Sequence, residues 1–236
     1  MTSIIVLTDV FIRKKSGNLG SLLGNDEDIT NRKNLATNAS IKLNKVWVRG
    51  IYISLEKRLK LYNTLIKPVL LYNSETWGLT KAAIKNLNSF HRKQLRIVLN
   101  IRFPHRISNK AVYKACNTEP LSLEIINRRW RYFGHVLRLN LETPAAKAMK
   151  FYFTNVKGSN KFNGRPRTTI ITTLNDDIKT LINNNSTIIT QYKIKTLTSI
   201  TELEKIRHLA FDRDVWKELI KELYIVARAE GSIHWN

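Results

Sequence analysis

From Ser54 onward apolar residues return every three or four positions, the spacing of one helical face and not the alternation of a strand. Leu55, Leu59, Tyr62, Leu65 and Ile66 form the first such stripe, with Ser54 placed to cap its start. Pro68 predicts a kink or restart near Lys67, because its ring removes an N–H donor and crowds the preceding turn. Thr80 stands where a second helix would begin, carrying Ile84, Leu87, either Phe90 or His91, Leu95 and Val98 on one side and ending near Asn100. After the Phe103–Pro104 break, Ser108 can cap a short helix running to Cys116. Pro120 and Ser122 then open a helix with Leu123, Ile126, Trp130, Phe133 and Leu137 on one face. The expected fold is all-α or mostly α.

The flanks are less regular. Ser3 to Leu7 reads as a strand, Ser16-Gly17-Asn18 as a loop, and Asp28 to about Val48 as a helix. Beyond Pro144 a helix is expected from Ala145 to Phe153. A polar, turn-rich loop from Gly158 to Arg167 is the expected internal boundary. Two helical stretches follow, Thr168 to Ile182 and Ser199 to Ala229, with an Asn/Thr-rich connection between them. No repeat of fixed period is present.

A chain of 236 residues with 43% hydrophobic residues can bury a substantial core. Forty Lys and Arg against 18 Asp and Glu give a net charge of +22, and the pI is about 10.2. Such an excess points to a polyanionic partner. The excess peaks in residues 90 to 139, where 11 Lys and Arg face 2 acids, a net of +9. An anionic membrane surface would satisfy the same charge, but no 18-residue apolar run is available to span a bilayer. Asp9 interrupts the apolar patch Ile4 to Leu7, no basic residue precedes it, and no small-residue cleavage site follows. The single cysteine, Cys116, cannot form an internal disulfide and suits core packing. An intracellular protein, nuclear or cytoplasmic, without a membrane partner is expected.

Two-metal polymerase chemistry needs carboxylates that converge on Mg²⁺. Asp176-Asp177 is the only candidate pair with that look, and its surroundings have helical spacing. Adjacent helical residues diverge by about 100 degrees, so a solvated helix face is expected there. Zinc sites need Cys and His ligands at short spacings, whereas His91, His105, His135, His208 and His234 lie far apart. Phosphate-loop, dinucleotide and nucleophile-elbow motifs are absent. No catalytic or metal-ligating residue is assigned.

Several ordered segments carry a family resemblance. The run LYNTLIKPVLLYNSETWGLT at Leu61 to Thr80 resembles the segment that follows the palm in non-LTR (LINE-type) retrotransposon reverse transcriptases. FHRKQLRIVLNIRFPHRISN, NRRWRYFGHVLRL, GRPR and AFDRDVWKELI follow in the same order. Upstream, NLGSLLGNDEDITNRKNLATNA is similar to the end of that palm and its helix. Asn73 stands where the family usually has Gly, and Asn18 where an aromatic is usual. The fingers, most of the palm and its Asp-Asp motif have no counterpart, and residues 1–17 are unassigned. The resemblance implies a palm-end remnant at residues 18–53, a thumb-like helical bundle at 54–140 and a basic linker with C-terminal helices at 141–236. It implies RNA template and target or product DNA as partners. It implies Mg²⁺ for the full-length polymerase but no cofactor in this chain, which alone is expected to be inactive. A retained transposon-derived RNA- or DNA-binding protein without an enzymatic role is the alternative.

Backbone phosphates supply most sequence-independent affinity, and helix-borne cations neutralise them. Arg128, Arg129, Arg131 and Arg138 fall largely off the apolar stripe of their helix and lead the candidates, with solvated charge as the competing explanation. Arg92, Lys93 and Arg96 lie off the stripe of the preceding long helix. His135 could donate to a phosphate, or be a structural histidine beside an apolar face. Trp130 and Phe133 could stack on bases, but their spacing with Ile126 and Leu137 favours the core. Tyr72 and Trp77 are expected as packing anchors. Arg165 and Arg167 in the Gly164–Arg167 loop resemble the Arg-Pro-Arg cores that enter narrow minor grooves.

Overall fold

The computed structural model describes residues 17–18, 21–22, 25–48, 52–154 and 168–233, and these are mostly helical. The strand expected at Ser3 to Leu7 and the Gly158 to Arg167 loop lie outside the described residues. Two compact units form, the first from residues before Glu75 together with Lys81–Leu121, the second from Glu75–Thr80 together with Ser122–Trp235.

In the first unit, β1 (Gly17–Asn18) pairs antiparallel with β2 (Ser21–Leu22), in the register Gly17 to Leu22 and Asn18 to Ser21. Helix α1 (Asn25–Lys42) starts on Asp26, Glu27 and Asp28, whose charges complement the positive helix N-terminus. It ends short of Val48 because the chain turns at Leu43 and restarts as α2 (Asn44–Val48), fixed by the buried Trp47 indole N–H donating to the Ser40 carbonyl at 2.9 Å.

Helix α3 (Leu55–Leu61) is capped by Ser54, whose hydroxyl accepts from the Lys57 N–H. It runs into a π-helical turn, Tyr62–Ile66, before α4 (Lys67–Leu70). The Lys67 N–H bonds back to the Tyr62 carbonyl, five residues away. The wide turn meets the demand of Pro68, which has no N–H and needs room for its ring. Ile66 stays buried and Leu65 is left about half exposed, so only part of the expected stripe faces inward. Asn73 then takes φ 60, the left-handed region that Gly and Asn adopt most readily.

Helix α5 (Lys81–Val98) buries Leu87, His91, Leu95 and Val98, so His91 and not Phe90 belongs to the inner face. Tyr62 O–H hydrogen-bonds His91 Nδ1 at 2.7 Å, and burial, reinforced by Lys67 nearby, pushes the imidazole pKa down to about 3. The buried Arg58 guanidinium donates to the Val98 carbonyl at the end of α5. Helix α6 (Asn109–Ala115) starts at Ser108, which accepts from the Ala111 N–H at 3.2 Å. Cys116 is buried behind it, and burial pushes its thiol up to about 11.

The second unit is built around α7 (Leu121–Arg138), with α8 (Pro144–Thr154), α9 (Ile170–Asn183), α10 (Thr187–Gln191), α11 (Ile200–Phe211) and α12 (Arg213–Ile233). Trp130, Phe133 and Leu137 of α7 pack with Leu174, Ile178, Ile206, Leu209, Trp216 and Leu219 in one apolar cluster. The Asn/Thr-rich connection is more ordered than its composition suggests, since Ser186 caps α10 and Ile188, Ile189, Ile194 and Leu197 join the core. The expected single helix from Ser199 breaks at Asp212, which is extended and accepts from the Asp214 and Val215 N–H groups at 3.0 and 3.1 Å. A side chain that prefers capping over helix interiors ends α11 and starts α12. At Gly78 a Cβ would lie 2.7 Å from the Thr168 carbonyl oxygen, so only glycine lets this segment approach the start of α9. Among the described residues no helix is long and apolar enough to cross a membrane.

Candidate nucleic-acid interface

The arginines of α7 divide by their place around the helix. Arg129 is a correction to the expected contact set. Its side chain is only 2% exposed, and its Nη1 donates to Asp177 Oδ2 at 2.9 Å. The same oxygen accepts from the Trp130 indole N–H at 2.8 Å. An arginine directly before a core tryptophan points partly inward, and its carboxylate partner comes from α9. Burial pushes the Asp177 carboxyl up, while Arg129 and the indole N–H pull it back.

Asp177 thereby departs from the expected solvated face, whereas Asp176 is exposed and lies 3.9 Å from Lys179. The 100-degree divergence expected of neighbours on a helix separates them, one inward and one outward. They do not fit a shared Mg²⁺ site, because Asp177 is occupied by two donors and Asp176 faces the other way. Among the described residues no three His, Cys, Asp or Glu side chains gather as a metal site would require.

Arg138 also works inside the fold. Its Nη1 donates to the Ala210 carbonyl in the last turn of α11 at 2.9 Å, and Arg207 of α11 returns the contact by donating to the Leu139 carbonyl just past α7 at 3.3 Å. Each arginine thus sits at the negative end of the other helix. Arg128 is 38% exposed and paired with Glu124 at 2.9 Å. Arg131 and His135 are exposed. Four residues apart, they share one outward face, the face from which a helix reaches phosphates.

Gly134 explains the short side chain beside His135. A Cβ there would come within 2.3 Å of Trp216 Nε1 and 2.5 Å of its Cε2. The indole packs closely on α7 at Gly134 and donates to the Trp130 carbonyl at 3.2 Å. Trp130, Phe133 and Trp216 have ring centroids 5.5 to 6.2 Å apart. Trp130 and Phe133 are core residues, as their spacing predicted. Trp77 is likewise buried, but Tyr72 is 46% exposed and carries the Arg32 guanidinium 4.3 Å above its ring.

In the first unit, Arg92 and Arg96 are half-buried tethers. Arg92 Nη1 donates to Tyr113 Oη at 3.4 Å, and Arg96 Nη2 donates to Asn109 Oδ1 at 3.0 Å and to the Ile107 carbonyl at 3.3 Å. Lys93, between them in sequence, is exposed. Arg165 and Arg167 lie outside the described residues.

Sequence reasoning passed over the Arg102–Arg106 turn, where Arg102, Phe103, His105 and Arg106 are all exposed. The available signal was electrostatic: from Thr76 to Thr118 the chain carries nine Lys and Arg and no Asp or Glu. Without internal acids, the cations of this stretch have few local partners to neutralise them. Compared with protein-family models, with curated proteins and with solved structures, the chain matches none.

Proposed function

We propose that this chain binds nucleic acid through solvent-facing cations, and that it corresponds to the end of the palm, the thumb and the linker of a non-LTR retrotransposon reverse transcriptase. The observation that carries the binding is the acid-free stretch Thr76–Thr118 within a chain of net charge +22. In a folded protein such a charge excess repels itself and is offset by a polyanion. In this reading residues 18–53 belong to the palm end, 54–140 to a thumb-like bundle and 141–236 to a basic linker region. RNA template and target or product DNA are the partners. Mg²⁺ and the polymerase carboxylates belong to the full-length polymerase.

The polymerase assignment draws support from how the resembling segments meet. NRRWRYFGHVLRL and AFDRDVWKELI interlock through Gly134 on Trp216, Trp216 on the Trp130 carbonyl, and Arg138 on Ala210. Asn73, at the position where the family usually has glycine, holds a positive φ that glycine would also supply. Asp177 is committed to Arg129 and Trp130, which favours a binding rather than catalytic role for this chain alone.

Equilibrium titration of the purified chain with single-stranded RNA and with duplex DNA, across about 50 to 200 mM salt, tests the binding. If about six phosphates are neutralised, the log–log slope on duplex DNA is about −5. A flat salt response contradicts an electrostatic interface.

A further inference from the structure

Phe103 is 84% exposed, well above Phe211 at 57% and Phe151 at 56%, while Phe133 and Phe153 are buried. Leaving a phenyl ring in water forgoes about 1.5–3 kcal/mol of burial, so such a residue invites a partner. The ring sits in a turn that the protein holds in place. The His105 N–H donates to the Arg102 carbonyl at 2.9 Å and the Ile101 N–H to the Arg96 carbonyl at 2.9 Å, while Arg96 grips Ile107 and Asn109 just beyond. Arg102, His105 and Arg106 flank the ring, all exposed, with no ion-pair partner among the described residues.

We infer that the Arg102–Arg106 turn is a stacking site for an unpaired nucleobase, with the Phe103 ring against the base and Arg102 and Arg106 on the adjoining phosphates. The inference rests on the nucleic-acid reading above and adds selectivity for single strands. A single ring amid cations matches one base and its backbone, the combination that single-strand binders use. Bases inside a duplex are stacked on their neighbours and offer the ring no free face. An anionic membrane would need a broader apolar surface than Phe103 and its neighbour Pro104 present within the turn.

The 236-residue wild type, Phe103→Ala, Phe103→Leu, Phe103→Trp and the double variant Arg102→Gln with Arg106→Gln are titrated with a single-stranded oligonucleotide and with its duplex form. Vesicles rich in phosphatidylserine form a third arm. Phe103→Ala is expected to weaken single-strand binding about 5- to 140-fold, which is the 1–3 kcal/mol of one base–aromatic stack at about 1.4 kcal/mol per tenfold. Duplex affinity and the single-strand salt slope stay at wild-type values. Phe103→Leu, which keeps apolar area without a π face, behaves as Phe103→Ala, and Phe103→Trp retains binding. The double arginine variant flattens the single-strand slope by about 0.7 for each lost contact. Wild-type affinity in Phe103→Ala or Phe103→Leu, or equal losses on single strand and duplex, overturns the stacking site while leaving the nucleic-acid reading intact. Vesicle binding that Phe103→Ala abolishes, with single-strand binding unchanged, overturns it in favour of a membrane. Wild type that binds neither nucleic acid removes the underlying reading and the site together.

Discussion

Replacing Asp177 by Ala removes a carboxylate oxygen that accepts from both the Arg129 guanidinium and the Trp130 indole N–H. Arg129 is 2% exposed and Asp177 13%, so water does not easily take the place of the lost acceptor. Two stranded buried donors, one of them charged, cost about 1–3 kcal/mol each. The sum agrees with the roughly 3–5 kcal/mol typical of breaking a buried pair from one side. Against a total stability of about 5–15 kcal/mol, that is a large fraction. Urea unfolding followed by tryptophan fluorescence and circular dichroism measures the loss. The double variant Arg129→Met with Asp177→Leu removes both charges and is expected to recover the share due to the stranded guanidinium, while the Trp130 indole N–H still lacks its acceptor. Once circular dichroism shows that variant to keep the wild-type helices, its salt-dependent DNA binding is compared with wild type, and an unchanged slope is expected. A cost for Asp177→Ala below about 1 kcal/mol, or a slope shallower by about 0.9 in the double variant, refutes the placement of Arg129 inside the fold.

Gly134→Ala is expected to destabilise by about 1–3 kcal/mol, because the new Cβ would meet the buried Trp216 ring at 2.3 Å and the overpacking outweighs the higher helix propensity of alanine; a shifted tryptophan emission maximum and a lower urea midpoint are the readouts, and an unchanged midpoint counts against the close approach. His91 gives a pH dependence. Its folded pKa is lowered from 6.5 to about 3, so the unfolded chain takes up the proton first. Its contribution is complete above pH 6.5 and is lost as pH falls towards about 3, by up to about 1.4 kcal/mol per pH unit. Unfolding free energies of wild type and His91→Gln across that window are expected to diverge in slope, and parallel curves would show the imidazole to be accessible.

Much of the helical architecture was legible because amphipathic spacing and caps act locally. Ser54 and Ser108 cap the helices that their positions announced, and Trp130 and Phe133 face the core as their register requires. The misses arise where a long-range partner or a single-residue break decides. Helical register tilts Arg129 inward and Arg131 outward, but the carboxylate that lets Arg129 be buried, Asp177, comes from a helix far along the chain. Pro68 announced a disturbance but not its form as a π-helical turn. Asp212 ends one helix and starts another because its carboxylate can bond the following N–H groups, an option that apolar periodicity does not reveal. For the candidate interface, charge singled out a region, while burial separated the outward cations Lys93, Arg131 and His135 from the structural ones.

The claim that outward cations bind nucleic acid is tested most directly by the salt dependence of duplex-DNA affinity in wild type and in the double variant Lys93→Gln with Arg131→Gln. Both residues are exposed, so circular dichroism and the urea midpoint are expected to stay at wild-type values. Wild type is expected to give a slope near −5, and the variant one shallower by about 1.8, or 0.9 for each phosphate contact removed. A wild-type slope near zero, or a variant whose slope and affinity match wild type, would contradict it.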